Sequence, residues 1–384
     1  MQAVSSQLGP NRQQPEHPRH TGLEQATNEP PFTMPPHAAA IGVEPAALGG
    51  LPAHGGQVQA VMRHFPQAPQ PYYDLSTGIS PFAYPCTLPP AQALHHLPEH
   101  HEEERLLTVA AQAYGVADPA LVVAGAGSQS LIAILPFVIP AQRVCILGPT
   151  YSGHEQAWRL RGIPVECVTQ PQALVLAAHQ PGTVCIVCNP NNPNGHIVPA
   201  QWLLSIATTC ANNGGFLIVD EAFADFENQS VAGSLPHPAL GVLRSFGKTY
   251  GLPGIRLGFL LAAPPLAAQV RATLGSWPVG TLALHVGAQA LADSAWRSHA
   301  AQQAKQAHTR LVNSLHAAGL KTQGQCSLFT LVRHAKATKL WQHLCQNGLV
   351  TRVFSHTPDA LRIGLPASAE AWVRLETSLA TFDV

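Results

Sequence analysis

The feature that most restricts the fold is a series of short apolar runs at 121–124, 144–147, 184–188, 216–219, 242–243 and 257–262. Each is too uniformly apolar for a strand with one wet face, so both faces are expected to be covered. Before and between them lie stretches with helical spacing, such as 102–114, a helix running on to Phe137, and 200–211. Strand and helix in alternation predict an α/β fold with a mostly parallel sheet covered by helices. Ligands of such sheets collect beyond the carboxyl ends of the strands, so the residues after each run are the candidates for chemistry.

Gly125-Ala126-Gly127-Ser128-Gln129 follows the first run and opens a helix. Free N–H groups there suit a phosphate, although the same residues also make an ordinary βα turn. Tyr151 follows the second run and offers a face to a flat heterocycle, or simply to packing. Asn189-Pro190-Asn191-Asn192-Pro193-Asn194-Gly195 is a turn carrying more side-chain amides than turning requires. Asp220 ends a wholly apolar run and needs a partner if buried. A pyridinium N–H would serve, and a helix N-terminus is the competing use. The stretch 244–259 holds Lys248 and Arg256 among glycines and reads as strand, tight loop, strand. A lysine held there can lose its proton to desolvation and attack a carbonyl; a surface lysine in a turn is the plainer alternative.

Only 11% of residues are charged and the net charge is zero, which argues against nucleic acid or an anionic membrane as partner. No apolar run is long enough to span a bilayer and the N-terminus lacks a secretory pattern, so a cytoplasmic protein is expected. Eight cysteines are too few for a disulfide scaffold and read as reduced thiols. Cys185 and Cys188 belong on opposite faces of one strand. His95, His96, His100 and His101 show no strict ligand spacing, so no metal is expected. The chain divides into a disordered extension (1–50), an extended N-terminal arm (51–85), a large α/β domain (86–265) and a smaller α+β domain (266–384). Pro264-Pro265 would be the hinge, and two long helices, 266–275 and 281–317, would follow it.

Taken together and in this order, Asn-Pro-x-Asn-Pro-x-Gly, Asp-Glu-x-Phe and Ser-x-x-Lys with an arginine eight residues on resemble the fold-type I pyridoxal phosphate enzymes, aminotransferase class I/II. The resemblance covers about 54–384. It implies pyridoxal 5'-phosphate carried by Lys248, with Asp220 on the pyridine nitrogen and Tyr151 on the ring. Asn192 would take the phenolic oxygen; Gly127, Ser128, Ser245 and Arg256 would hold the phosphate, and Gln129 would be a further cofactor-binding residue. It also implies a homodimer. Leu361-Arg362-Ile363-Gly364 is similar to the segment whose arginine takes the substrate carboxylate. His54-Gly55-Gly56 and Asp74-Leu75-Ser76-Thr77-Gly78-Ile79-Ser80-Pro81 most resemble the threonine-phosphate decarboxylases of cobalamin biosynthesis. That implies a phospho-amino acid substrate met by Arg362, Arg352, His54, Gly78 and Ile79. Three departures from the wider family stand out: Phe223 where many members have a tyrosine, Ser80 where an asparagine is common in this arm, and Leu97-Pro98 where histidinol-phosphate aminotransferases carry Tyr-Pro. A histidinol-phosphate-like aminotransferase is the alternative activity, and a catalytically silent binding module the alternative of another class.

Overall fold

The described residues, 54–354 and 357–383 of a computed structural model, begin with a helix where an extended arm was expected. The expected disordered extension lies outside them. This helix, α1 (Val58–His64), buries only Val61, so it left no apolar period to read. β1 (Tyr73–Asp74) follows. Next come α2 (His100–Tyr114), β2 (Val122–Gly125), α3 (Ser128–Val138), β3 (Arg143–Leu147), α4 (Ser152–Leu160), β4 (Val165–Val168), α5 (Pro171–Ala178) and β5 (Thr183–Cys188). The first layer continues with α6 (Ala200–Asn212), β6 (Phe216–Asp220), β7 (Leu240–Ser245), α7 (Phe246–Thr249), β8 (Gly258–Ala262), α8 (Pro264–Leu274) and α9 (Thr281–Ala292).

The seven strands β2 to β8 form one sheet in the order β2-β8-β7-β6-β5-β3-β4, with β8 antiparallel to both its neighbours and the other pairs parallel. All six residues of β5 are buried, as the uniform apolar run requires. Val184 and Ile186 enter one core while Cys185 and Val187 enter the core on the opposite face. A side chain such as Ile186 is worth about 1.5–3 kcal/mol buried. All eight cysteines are free thiols.

Local rules set the helix ends. α2 starts with a capping box between Glu99 and Glu102 and stops at Gly115, whose φ of 68° favours glycine. The proline pair read as a hinge instead opens α8, where its missing N–H costs nothing. α8 packs on α3, and α9 on α2, so both helices cover the seven-stranded sheet. The single helix expected over 281–317 is two. Asp293 accepts a hydrogen bond from the Trp296 N–H and starts a new one, α10 (Ser294–Ala317).

The second layer holds α10, β9 (Lys321–Gln323), β10 (Phe329–Arg333), α11 (Ala337–Gln346), β11 (Leu349–Val350), β12 (Arg352–Val353), β13 (Ala360–Gly364) and α12 (Ala369–Ala380). Four strands make an antiparallel sheet, β12-β13-β10-β9, and β1 pairs with β11. Two registers position the site. Ser245 and Gly125 both lie opposite Gly258, which sets the start of α3 beside the segment carrying Arg256.

Candidate active site

A cavity of about 360 Å³ opens at the carboxyl ends of β2, β3, β5, β6 and β7. His54, Ile79, Gly127, Ser128, Gln129, Tyr151, Asn192, Asp220, Ser245, Lys248, Arg256, Arg352 and Arg362 all line it. Gly78 is the exception among the residues singled out from the sequence. It sits behind the wall, where a Cβ would lie 2.9 Å from Phe329 and 3.3 Å from Phe223.

At one end, backbone and guanidinium converge. Gly127 begins α3 with φ 83°, and a Cβ there would lie 2.7 Å from Nη2 of Arg256. Arg256 is itself left-handed, with φ 55°, a conformation that costs a non-glycine residue about 1 kcal/mol or more. The unpaired N–H groups of an eleven-residue helix and one cation make an anion site. Tyr151 stands beside it and donates a hydrogen bond to Oε1 of Gln129 at 2.7 Å. Gly153 gives the ring room: a Cβ there would lie 2.4 Å from it.

Asp220 is buried on the floor. Its Oδ2 lies 2.8 Å from Nε2 of His154, and its Oδ1 accepts the Ala222 N–H at 3.0 Å. Burial alone would lower the pKa of His154, but the neighbouring Cys188 and Asp220 outweigh it and hold the imidazole up at about 10. Donor atoms of His154, Cys188 and Asp220 lie within 4.8 Å of one another, the group among the described residues closest in type to a metal site. The histidine run at 95–101 gathers nothing comparable, and His100 pairs with exposed Glu104.

Lys248 sits on the single turn α7, not in the irregular loop expected for it. Its Nζ lies 4.5 Å from the centroid of the Phe223 ring. Burial, then the positive charge of Arg362, pulls its pKa from 10.5 to about 8. The amine is therefore poised to give up its proton near neutral pH.

The asparagine turn is mostly occupied with itself. Asn189 bonds both backbone groups of Val198, and Asn191 donates to Pro149 O and to Asn194. Of its four asparagines only Asn192 lines the cavity, beside Pro190 and Pro193, and its Oδ1 accepts from Nη1 of Arg362. Arg362 comes from β13 of the second layer, donates also to the Ser76 carbonyl, and lies 5.0 Å over the Phe329 ring. Its Nε is buried without a hydrogen-bond partner. Burial, then Arg352, lowers its pKa to about 10. The His54 segment closes over Ser76: the Gly56 N–H donates to Ser76 Oγ, and a Cβ on Gly55 would lie 2.4 Å from the Ser76 carbonyl oxygen.

Sequence reasoning missed His154, Cys188, Ser76 and Phe329. His154 was the most accessible of these. It falls three residues after Tyr151, a lone histidine on the buried face of α4. Cys188 ends β5 four residues before Asn192 and lines the cavity itself, whereas Ser76 and Phe329 reach the site from segments remote in sequence.

The site fits pyridoxal phosphate by its donor set. It combines an anion cradle that a Cβ would fill, a buried carboxylate, a lysine with a lowered pKa and an arginine with an unpaired donor. Residues 92–374 match the model of the family "Aminotransferase class I and II". The chain is 38% identical to a threonine-phosphate decarboxylase of Sinorhizobium sp. over 334 residues, 86% of this chain and 98% of that one. Identity to the threonine-phosphate decarboxylase of Pseudomonas aeruginosa is 36% over 334 residues, 86% and 97% of the two chains. Among solved structures, histidinol-phosphate aminotransferase from Sinorhizobium meliloti in complex with pyridoxal-5'-phosphate superposes with a TM-score of 0.70 at 19% identity, covering 84% of this chain and 93% of that one. That likeness shows the fold. The chain belongs to the aminotransferase class I and II family.

Proposed function

We propose that the protein is a pyridoxal 5'-phosphate-dependent decarboxylase that converts L-threonine O-3-phosphate to (R)-1-amino-2-propanol O-2-phosphate and CO2, for the cobalamin nucleotide loop. The observation that carries this reading is likeness to threonine-phosphate decarboxylases over nearly their whole length, joined to a cavity lined by three arginines. Three anionic groups need holding: the cofactor phosphate, the substrate carboxylate and the substrate phosphate.

The cofactor supplies an electrophilic carbonyl and a ring that accepts the electron pair of the broken bond. Gly127, Ser128, Ser245 and Arg256 would hold its phosphate, with Gln129 steadying Tyr151 against the ring. Asp220, backed by His154, would keep the ring nitrogen protonated, and Asn192 would bond the phenolic oxygen. Lys248 would attach it through an amine that burial has made easy to deprotonate. Arg362 would turn its unpaired donor to the substrate carboxylate, bonding it while Asn192 and Ser76 fix the rest of the fork. Arg352 and His54 would meet the substrate phosphate at the mouth, with Gly78 and Ile79 shaping that side. Once CO2 has left, Lys248 is the group placed to return a proton to the substrate carbon. Phe223 and Phe329, 5.0 Å apart edge to face, keep this end of the pocket apolar.

We expect the first layer, which runs through α9, to hold the cofactor and the second, from α10 onward, to supply the arginine for the substrate carboxylate, so that the division falls near Asp293 and not at the proline pair. The protein would act as a homodimer in the cytoplasm. Exposed Leu94, Leu97 and Trp277 support the first, since Trp277 is tied to this segment by a hydrogen bond to the Pro98 carbonyl. Eight free thiols support the second. Among the described residues no helix is long and apolar enough to cross a membrane.

The test is a product assay. CO2 and a phosphorylated amino alcohol from threonine phosphate, with no glutamate from histidinol phosphate and 2-oxoglutarate, is the expected result. The reverse would establish a histidinol-phosphate-like aminotransferase.

A further inference from the structure

The densest group of buried charge outside the cavity lies directly behind it. Arg244, 4% exposed, sets Nη2 2.9 Å from Oε2 of Glu221 and 2.7 Å from Oγ of Ser230. Its Nη1 lies 2.5 Å from Oδ1 of Asp225, and its guanidinium lies 4.9 Å over the Tyr114 ring. Oδ2 of Asp225 accepts from Thr249 Oγ1 at 2.7 Å. Glu221 is anchored in turn by the Val231 N–H and the Ser230 hydroxyl, both at 2.8 Å.

The order of these residues along the chain is the informative point. Asp220, Ser245 and Lys248 line the cavity. Their immediate neighbours Glu221, Arg244 and Thr249 are buried, do not line it, and are joined in one network centred on Arg244. The strand ends β6 and β7 and the turn α7 are thereby tied together one residue away from each group that faces the cavity. Two carboxylates and one guanidinium are a poor way to gain stability, because desolvation offsets most of their attraction. A planar guanidinium with its donors in a fixed fork is, however, a good way to fix three segments at defined angles.

We propose that Arg244 is a positioning residue that sets Asp220, Ser245 and Lys248 relative to one another, and so aligns the bound cofactor. The assignment rests on the cofactor reading above. Arg244→Lys keeps the charge and loses the fork, while Thr249→Val removes one peripheral hydrogen bond and leaves the ion pairs intact. Both are compared with wild-type holoenzyme by cofactor dissociation constant, visible circular dichroism of the bound cofactor, and far-ultraviolet circular dichroism. The expected result is unchanged secondary structure, an altered visible band, and cofactor affinity about tenfold weaker in Arg244→Lys and less so in Thr249→Val. Arg310→Lys, in the exposed pair with Glu376, should change neither cofactor readout. Wild-type affinity and visible band in both variants would overturn the assignment, whatever their melting temperatures. If Arg244→Lys fails to fold, Thr249→Val decides alone. Wild-type protein that binds no cofactor would overturn the functional reading itself; a binding wild type with indifferent variants overturns only the role of Arg244.

Discussion

Replacing Lys248 with methionine should stabilise the cofactor-free protein, and the gain should depend on pH. The folded chain holds the Lys248 amine in a buried position that also faces Arg362, and its pKa falls from 10.5 to about 8. Because the folded value is the lower one, the unfolded chain binds more protons between pH 8 and 10.5, and stability rises with pH across that window. At pH 7 both states are protonated and the folded state carries the whole penalty. At about 1.4 kcal/mol per pKa unit the ceiling is about 3 kcal/mol. Lys248 as a residue is only partly buried, and solvent screening brings the expected figure to about 2 kcal/mol. Lys248→Met removes the titrating group, so its advantage should be about 2 kcal/mol at pH 7 and mostly gone by pH 10. Urea unfolding of cofactor-free wild type and variant at the two pH values measures this. The comparison across pH separates charge from the apolar contribution of methionine, which is the same at both. A variant no more stable at pH 7, or one with an equal gain at both pH values, would refute the claim that burial and Arg362 tune this lysine.

Gly127→Ala forces a Cβ to 2.7 Å from Nη2 of Arg256 at a φ of 83°, so cofactor affinity should fall at least about tenfold, the equivalent of about 1.4 kcal/mol, measured by titration of the cofactor-free protein; unaltered affinity would show that the cradle is elsewhere. Arg362→Lys keeps a charge but not the fork, and kcat/KM for threonine phosphate should drop by about 100-fold, most of it in KM. His154→Phe leaves the buried Asp220 side chain with the Ala222 N–H as its remaining bond, so the carboxylate should be held less firmly and cofactor affinity should fall about tenfold in titration of the cofactor-free protein; unaltered affinity would separate His154 from the cofactor site. Gly324→Ala places a Cβ 2.1 Å from the Asn194 carbonyl oxygen at a φ of 97°, and should cost about 3 kcal/mol or more in urea unfolding by prising the asparagine turn from the second layer.

Much of the molecule was legible in the chain because it is local. The apolar runs of β2, β3, β5, β6 and β7 have to be covered on both faces, and that alone implies a parallel sheet with its ligands at one edge. The same logic put Gly127, Tyr151, Asn192, Asp220, Ser245 and Lys248 at that edge, since each ends a strand or follows one within a few residues, and Arg256 just precedes β8. Boundaries failed where a local rule competed with the apolar pattern. Asp293 splits one helix into two, a proline pair begins a helix, and α1 buries too little to show a period.

What the tertiary structure alone decided is how the charges in that edge are partnered. Nothing in the chain pairs Asp220 with His154, sixty-six residues earlier, or brings Arg362 to Asn192 and to the Ser76 carbonyl, 170 and 286 residues away. Turn chemistry by itself does not distinguish Asn192, which faces the cavity, from the neighbouring asparagines that the turn consumes; only the family resemblance singled it out. Strand and turn propensities act over a few residues, whereas desolvation and Coulomb interaction act through space. The lowered pKa of Lys248 is therefore a property of the assembled site, set by burial and by an arginine that reaches it from the other layer.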